Sequence, residues 1–433
     1  FQAVARLCRS RFEIAGQRSA RIAVHVSREA FALRFVHAAA FIFLAAVCSG
    51  CAMTMPRDPV PESLVLEARV PELGNVRYWG DEVPGDAEAQ IHRRMPNLPR
   101  LAESPGKGRR PTVNYLALSS GGTDGAFAAG LLVGWTKTGR RPRFDVVTGV
   151  SAGALIAPFA FLGPACDQQL QAIWTRYGTD DILVKQPFSG LIGGPALADT
   201  QPLAWLIANY VDQKLLDAIA SEYRKGRILL IGTTNLDAQR PVVWNMGEIA
   251  VSRSPRALDL FRQVILASAA IPGLFPPVHI TVEAGGELHE EMHVDGGATQ
   301  KVFLTPLQFS LRQLDSLHSA PPRNRFYIIE NNKLVPEWKP TEATTFAIAE
   351  RSLNTLIKSQ GAGDLMRLYY LAKRDGADFN LAAIPPSFSD QSKEPFDLKY
   401  MRALFDVGYA EGFRDPKWLK APPETTLVSA RAE

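Results

Sequence analysis

The sequence predicts an α/β domain of three layers, with a central and mostly parallel sheet between layers of helices. Two observations support this fold class. Short apolar runs typical of buried strands alternate with helical patterns between residues 111 and 415. Two of these runs are each followed by a glycine-rich turn and then by a helix. Strands that alternate with helices in this way favour parallel β–α–β units, and with 46% hydrophobic residues the chain has enough apolar content for a large core.

The chain begins with a basic segment that resembles a bacterial export signal. Residues 1–51 contain seven arginines and two glutamates, a net charge of +5, whereas the whole chain has +4. The apolar run at 35–47 has the length of a signal-peptide core and is short for a membrane span. The sequence C-S-G-C at 48–51 follows this run and resembles a lipobox with Cys51 as the lipidated residue. An ordinary secretory signal and a single amphipathic anchor are the alternatives.

This leader predicts a lipoprotein of the bacterial cell envelope, held at a membrane and facing the periplasm, or secreted if it is not lipidated. Residues 1–27 are an unusually long polar region, which an over-extended gene model or a fragment would explain. Residues 52–433 have a net charge of −1, which argues against nucleic acid as a partner. After processing at Cys51 the chain retains Cys166, too little for a disulfide framework or a cysteine metal site.

The composition divides the chain into four segments. They are a leader at 1–51, a proline-rich tether or arm at 52–110, the folded domain at 111–415 and a C-terminal tail at 416–433. Proline at the density found in 52–110 prevents long helices and central strands, and allows only a short helix near 86–93. Composition alone leaves open whether this segment packs on the domain.

Within the domain, apolar runs bounded by Gly, Pro or Asp predict strands, and apolar positions at helical spacing predict helices. Strands are expected at 113–119, 144–147, 227–234, 242–245, 279–282, 287–294 and 325–330. Helices are expected at 126–135, 154–162, 258–270, 346–373 and 397–412, and 166–225 is expected to be mostly helical around a loop at 186–199.

Three short motifs carry the candidate chemistry. The first, L-S-S-G-G-T-D-G at 118–125, joins a strand to a helix, where backbone amides can hold an anion. The second is G-x-S-x-G, in which Gly149 and Gly153 let a strand and a helix approach while Ser151 occupies the strained corner. The third, D-G-G at 295–297, lets a carboxylate stand at the end of a strand. Tight turns without chemistry are the alternative for the last two.

Taken in order, the three motifs resemble those of the patatin-like phospholipase family, over about Asn114 to Ala298. Two further stretches, at 267–277 and at 232–236 with 244–245, also resemble family segments near the site. The resemblance implies the three-layer fold and hydrolysis of membrane-lipid or other acyl esters through an acyl-enzyme, with no metal and no organic cofactor. It implies Ser151 as nucleophile and Asp295 as base. The implied oxyanion hole is Gly121, Gly122 and Thr123, and the other motif glycines are Gly125, Gly149, Gly153, Gly296 and Gly297.

The chain departs from the family pattern at two positions. Ser120 replaces the first glycine of the loop, and Asp124 stands where many members carry Arg or Lys, so a cation that could steer an anionic head group is missing. A carboxyl near its usual pKa of about 3.9 is also a poor base. Either burial raises the pKa of Asp295, or the serine proton moves only as the oxyanion is stabilised.

Two other functions stay open from the sequence. One is a patatin-like binding or scaffold lipoprotein whose dyad is too loose to work, which Asp124 favours. The other is an α/β-hydrolase with a histidine triad, for which the order Ser…Asp…His requires His318. His318 follows a polar helix end, which is more typical of a surface histidine.

Overall fold

The computed structural model describes residues 57–83, 110–185, 196, 198–306, 308–317 and 320–423. Cys51 and the rest of the leader, the helix expected near 86–93, most of the loop at 186–199, and His318 lie outside the described residues. Within them, no helix is both long and apolar enough to cross a membrane.

Nine strands of the described chain form one mixed sheet, and two more form a small separate pair. The strands are β1 (Arg77–Trp79), β2 (Thr112–Leu118), β3 (Val146–Val150), β4 (Val184–Lys185), β5 (Ala198–Asp199), β6 (Ile228–Asn235), β7 (Arg240–Asn245), β8 (Val278–Ala284), β9 (Glu287–Asp295), β10 (Arg323–Glu330) and β11 (Asp378–Ala383). The order of the main sheet is β1-β7-β6-β3-β2-β10-β11, with β9 on β6 and β8 on β9. Strands β6, β3, β2, β10 and β11 pair in parallel, whereas β1, β7, β8 and β9 join through antiparallel pairs.

Helices cover both faces of this sheet. They are α1 (Gly125–Lys137), α2 (Ala152–Leu162), α3 (Asp167–Arg176), α4 (Thr179–Ile182), α5 (Gln201–Tyr210), α6 (Gln213–Arg224), α7 (Met246–Val251), α8 (Ala257–Ser268), α9 (Thr345–Asp375) and α10 (Leu398–Phe413). The larger core contains buried residues of α1, α2, α3, α5, α6, α8 and α10. A second core contains Leu365, Leu368 and Leu371 of α9, packed with residues of β2, β10 and β11. The predicted three-layer α/β fold with a mostly parallel sheet is confirmed.

Two details of the sheet differ from the sequence prediction. Strand β3 continues past Val147 to Val150, because Thr148, Gly149 and Val150 pair with β6. Strand β11 was not predicted, since polar Asp378 and Asn380 interrupt its apolar pattern. Asn380 is nevertheless 3% exposed, and its side-chain amide donates to the Phe326 carbonyl at 3.0 Å, so the buried polar group is satisfied.

Residues 57–83 pack on the sheet and belong to the same folded unit as the domain. Strand β1 pairs antiparallel with β7 at the sheet edge, and Arg69 forms a β-bridge with Glu283 of β8. A three-residue strand at an edge is compatible with a proline-rich segment, because an edge strand needs only one row of ladder hydrogen bonds. These contacts extend the folded unit N-terminally beyond residue 111.

Candidate active site

Ser151 lies at the sharp corner between β3 and α2. Its backbone has φ 55° and ψ −119°, which is unfavourable for a residue with a side chain and persists only when the surroundings hold it. A Cβ added at Gly149 would lie 2.4 Å from the Gly153 carbonyl oxygen, and one at Gly153 would lie 2.3 Å from the Leu118 carbonyl oxygen. Only glycine fits at either position, so the G-x-S-x-G spacing is what allows the corner to form.

Ser268, at the end of α8, stabilises this corner. The Ser151 N–H donates to Ser268 Oγ at 2.9 Å, and Ser268 Oγ donates to the Gly232 carbonyl at 2.7 Å. Ser268 is fully buried. Sequence reasoning gave it no role, although a serine in an apolar helix end that carries a family-like segment was a usable signal.

The edge of β6 brings Asp295 to Ser151. Strand β3 pairs with β6 as far as Val150 opposite Gly232. Beyond that point β9 pairs with the same edge of β6, with Asp295 opposite Thr233. The residue that follows β3 and the last residue of β9 therefore meet. Ser151 and Asp295 are thus brought together at one edge of β6, and Ser151 is among the groups that lower the pKa of Asp295.

Burial makes the Asp295 carboxylate an unusually strong base for an aspartate. It is 5% exposed, and desolvation raises the pKa of Asp295 to about 7, against the opposing hydrogen bonds from Ser151 and the Gly297 N–H. The Gly297 N–H donates to Oδ1 at 2.7 Å. No charged side chain contributes to this shift. A Cβ at Gly296 would lie 2.5 Å from the Gly232 carbonyl oxygen, so the turn after Asp295 also requires glycine there.

The glycine-rich loop lies beside the corner because β2 and β3 are neighbours, with Leu118 opposite Gly149. Gly122 has φ +54°, which favours glycine, and Gly122–Asp124 form one turn of 3₁₀-helix before α1. A Cβ at Gly125 would lie 2.8 Å from the Ala152 Cβ and closer still to the Trp174 ring. The amides from Gly121 to Thr123 therefore lie at the start of α1, beside the start of α2, where the helix dipole favours negative charge.

Asn331, directly after β10, braces this loop. Its side-chain amide donates to the Ser119 carbonyl at 2.9 Å, and its Oδ1 accepts from the Ala128 N–H at 3.3 Å. The Asn331 N–H donates to Ser119 Oγ at 2.8 Å. A Cβ at Gly121 would clash with Asn331 at 2.5 Å, so loop and brace are in direct contact. Sequence reasoning missed Asn331, whose only signal is a polar residue at the end of an apolar strand.

Asp124 is held by side chains from two other parts of the chain. It accepts from the Tyr400 hydroxyl at 2.7 Å and from the Asn332 side-chain amide at 3.0 Å. Burial raises the pKa of Asp124 to about 6, against these hydrogen bonds and the nearby charge of Lys301. Lys301 itself donates to Glu330 and to Asn332. Asp124 thus anchors the loop to α10 and to the segment after β10.

The histidines of the described chain contact other partners. His279 Nδ1 lies 3.2 Å from Glu290, and His289 Nδ1 lies 3.2 Å from Asp58. His293 is within hydrogen-bond distance of Glu291 and Thr233, at 3.0 Å in each case. His318 lies outside the described residues, so the histidine triad stays a prediction.

The described residues contain no group of three or more His, Cys, Asp or Glu side chains that could hold a metal ion. Cys166 is a free, half-buried thiol.

Comparison with known proteins finds a family model that matches this part of the chain. Residues 116–307 match the family model of the patatin-like phospholipases, which confirms the resemblance predicted from the motifs. This range spans the glycine-rich loop, the Ser151 corner and Asp295. No curated protein matches the chain.

Three solved structures resemble the chain more distantly. VipD from Legionella pneumophila is 12% identical, with a TM-score of 0.31, over 70% of this chain and 66% of that one. Human GIVD cytosolic phospholipase A2 is 11% identical, with a TM-score of 0.35, over 78% of this chain and 63% of that one. The complex of SpcU with ExoU from Pseudomonas aeruginosa is 15% identical, with a TM-score of 0.31, over 71% of this chain and 52% of that one. The chain thus covers less than two thirds of these chains, and such TM-scores carry no argument about function.

Proposed function

From the patatin-like phospholipase domain that residues 116–307 match, we propose that this protein is a serine acyl hydrolase that cleaves carboxylic esters of lipids. Ser151 is the nucleophile and Asp295 is its base. The observation that carries the proposal is that the ends of β3 and β9 meet on one edge of β6, which brings Ser151 to a buried carboxylate whose pKa is raised to about 7. A general base is most effective when its pKa is close to the working pH.

The reaction proceeds in two halves. As Ser151 Oγ forms a bond to the ester carbonyl carbon, its proton moves to Asp295. The amides of Gly121, Gly122 and Thr123 stabilise the oxyanion that develops on the carbonyl oxygen. The alcohol leaves with the proton from Asp295, and an acyl-enzyme on Ser151 remains. Water, deprotonated by Asp295, then attacks the acyl carbon; the bond from that carbon to Ser151 Oγ breaks, Oγ takes the proton back from Asp295, and the fatty acid is released.

A small apolar cavity of about 40 Å³ lies one helical turn from the corner. The Leu155 N–H donates to the Ser151 carbonyl, so Leu155 lies one turn into α2. It lines a cavity together with Phe159, Trp174, Leu206, Ile265 and Met401. Trp174 also packs against Gly125 at the start of α1. The lining is apolar, but a volume of about 40 Å³ is too small for an acyl chain, so this cavity does not identify the acyl group.

The nucleophile is tested with Ser151→Ala in the protein lacking residues 1–51. We expect the variant to lose hydrolysis of a soluble short-chain ester and of lipid vesicles, with an unchanged circular dichroism spectrum. A fluorophosphonate probe should label the unmutated protein and not the variant. Labelling that persists in Ser151→Ala would place the nucleophile at another residue, and a folded parent without esterase activity would favour the scaffold alternative.

We further propose that Cys51 carries lipid and holds the domain at a membrane of the bacterial envelope. The support is the basic leader and the C-S-G-C sequence at its end. Metabolic labelling of the full chain in a bacterial host with an alkyne fatty acid should mark the protein, and Cys51→Ser should remove the mark. Equal labelling of the Cys51→Ser variant would exclude this tether.

A further inference from the structure

One face of β9 carries a row of polar, titratable side chains that ends at the active site. His289, Glu291, His293 and Asp295 alternate along the strand and therefore share a face. Each of the four is 5% exposed or less. A buried row of this kind is costly unless its members are paired, so the partners of the row need an explanation.

The N-terminal arm, residues 57–83, supplies the charged partner of this row. The Arg77 guanidinium donates to both carboxylate oxygens of Glu291, with 2.8 Å between Nη2 and Oε1. Both side chains are nearly buried, and Arg77 also lies 5.4 Å from the centre of the Trp244 ring. Hydrogen bonds from Arg77 and His293 hold the pKa of Glu291 near 2, so Glu291 is an anion that needs its cation. The Asp58 carboxylate lies 3.2 Å from His289 Nδ1 at the far end of the row.

From Glu291 the hydrogen bonds continue toward Asp295. His293 is fully buried, which lowers its pKa, so its ring is neutral. Because Glu291 can only accept, His293 Nε2 carries the proton and Nδ1 accepts from the Thr233 hydroxyl. That hydroxyl in turn accepts from the Trp244 indole N–H at 2.8 Å. Thr233 is the residue of β6 that lies directly opposite Asp295.

At this end of β9, pairing with β8 stops at His293, and the Asp295 N–H donates to the Ala270 carbonyl at 3.0 Å. Only His293, Val294 and Asp295 pair with β6, on the short edge beyond the end of β3. The side chains between Arg77 and Thr233 therefore contribute to fixing the height and rotation of the strand end that carries Asp295. Positional precision matters for a base, since displacements of about 1 Å can cost up to about a hundredfold in rate.

We propose that Arg77 is a positioning residue for Asp295: through Glu291, His293 and Thr233 it holds the end of β9 so that the Asp295 carboxylate meets Ser151. This inference rests on the proposed function, because it assigns the arm a part in the same dyad. It makes residues 57–83 part of the catalytic unit rather than a passive connection to the leader.

The experiment removes the ion pair without leaving a buried charge. Arg77→Met alone leaves Glu291 unpaired and risks unfolding, so the main variant is the double substitution Arg77→Met with Glu291→Gln. Arg77→Lys is the conservative variant. The matched control is Arg240→Met, which removes another ion pair of the same arm, with Asp81 and Glu82. All are made in the protein lacking residues 1–51.

For each variant we measure folding by circular dichroism, kcat and KM for a soluble short-chain ester, and the rate of fluorophosphonate labelling. We expect the double variant to be folded, with kcat and the labelling rate lowered about tenfold and KM within twofold. Arg77→Lys should recover most of kcat, and Arg240→Met should stay within twofold of the unmutated protein.

Two results would overturn the proposal. One is a folded double variant with kcat within twofold of the parent. The other is an equal loss of kcat in Arg240→Met, which would mean that the arm acts only through general stability. A parent protein whose esterase activity does not depend on Ser151 would instead overturn the proposed function, so the two failures are distinguishable.

Discussion

Asp295 and Asp124 are two buried aspartates on either side of the Ser151 corner, and their surroundings differ. Burial raises the pKa of both, to about 7 for Asp295 and about 6 for Asp124. Asp295 accepts a hydrogen bond from the Gly297 N–H and lies beside Ser151, and no charged group contributes to the shift of its pKa. Asp124 accepts from Tyr400 and Asn332, and the charges of Glu337 and Lys301 act on its pKa in opposite directions, with Glu337 raising it and Lys301 lowering it.

These different surroundings suit Asp295 to act as a base and Asp124 to act as a structural anchor. A carboxylate that faces a hydroxyl, without a cation to stabilise its charge, has a strong affinity for the proton of that hydroxyl. A carboxylate whose oxygens are occupied by fixed donors gains little from taking a proton. Asp295 therefore suits proton transfer, whereas Asp124 connects the glycine-rich loop to α10. In the sequence, Asp295 stands out as the base and Asp124 as a departure from the family loop, and the anchoring contacts of Asp124 become visible only in the structure.

The largest expected effect is on the rate of hydrolysis. Asp295→Asn keeps the shape of the side chain and removes the base, so we expect kcat/KM for a soluble ester to fall by about three to four decades. Asp124→Asn keeps the loop close to its position and leaves the dyad intact, so its loss should stay within about tenfold. The measurement is steady-state kinetics of both variants beside the parent, with folding checked by circular dichroism.

An equal loss in the two variants would end the distinction between base and anchor. A small loss in Asp295→Asn would move the base to another residue, with His318 as the next candidate. The controls are His279→Ala and His289→Ala, whose partners are Glu290 and Asp58. Both should cost less than about tenfold, or about 1.4 kcal/mol of barrier.

The layers of the fold and the order of the motifs could be predicted from the sequence. Local signals carry that information: strand-like runs at 113–119 and 227–234, and glycines that only a sharp turn requires. The close contacts at Gly149 and Gly153 give the physical reason, because any side chain there would meet backbone within 2.4 Å. Such constraints lie within a few residues of each other and can be recognised without the fold.

The partners of the site could not be predicted in the same way, because they come from distant parts of the chain. Ser268, Asn331 and Tyr400 reach the site through α8, the end of β10 and α10, and each is a single polar residue in ordinary surroundings. The replacement of β3 by β9 along one edge of β6 depends on β6 being longer than β3, which strand patterns do not define to the residue. The arm was predicted as a proline-rich segment, and its contact through Arg77 depends on pairing across the sheet.

The smaller expected effect is on stability, and its sign follows from the pKa of Asp295. Between about pH 4 and pH 7 the unfolded chain releases the Asp295 proton while the native protein keeps it, so the free energy of unfolding falls as pH rises through this window. Asparagine does not ionise, so burying it costs no such free energy as the pH rises. At pH 8, Asp295→Asn should therefore be more stable than the parent, by at most about 4 kcal/mol at about 1.36 kcal/mol per pKa unit.

In Asp124→Asn the new amide would face the Asn332 amide, so its gain in stability should stay within about 1 kcal/mol. Urea unfolding at several pH values checks both, and the Asp295→Asn advantage should shrink toward zero as the pH falls to about 4. An advantage that does not change with pH, or a variant less stable than the parent at pH 8, would contradict the assignment of Asp295 as a buried, uncompensated carboxylate.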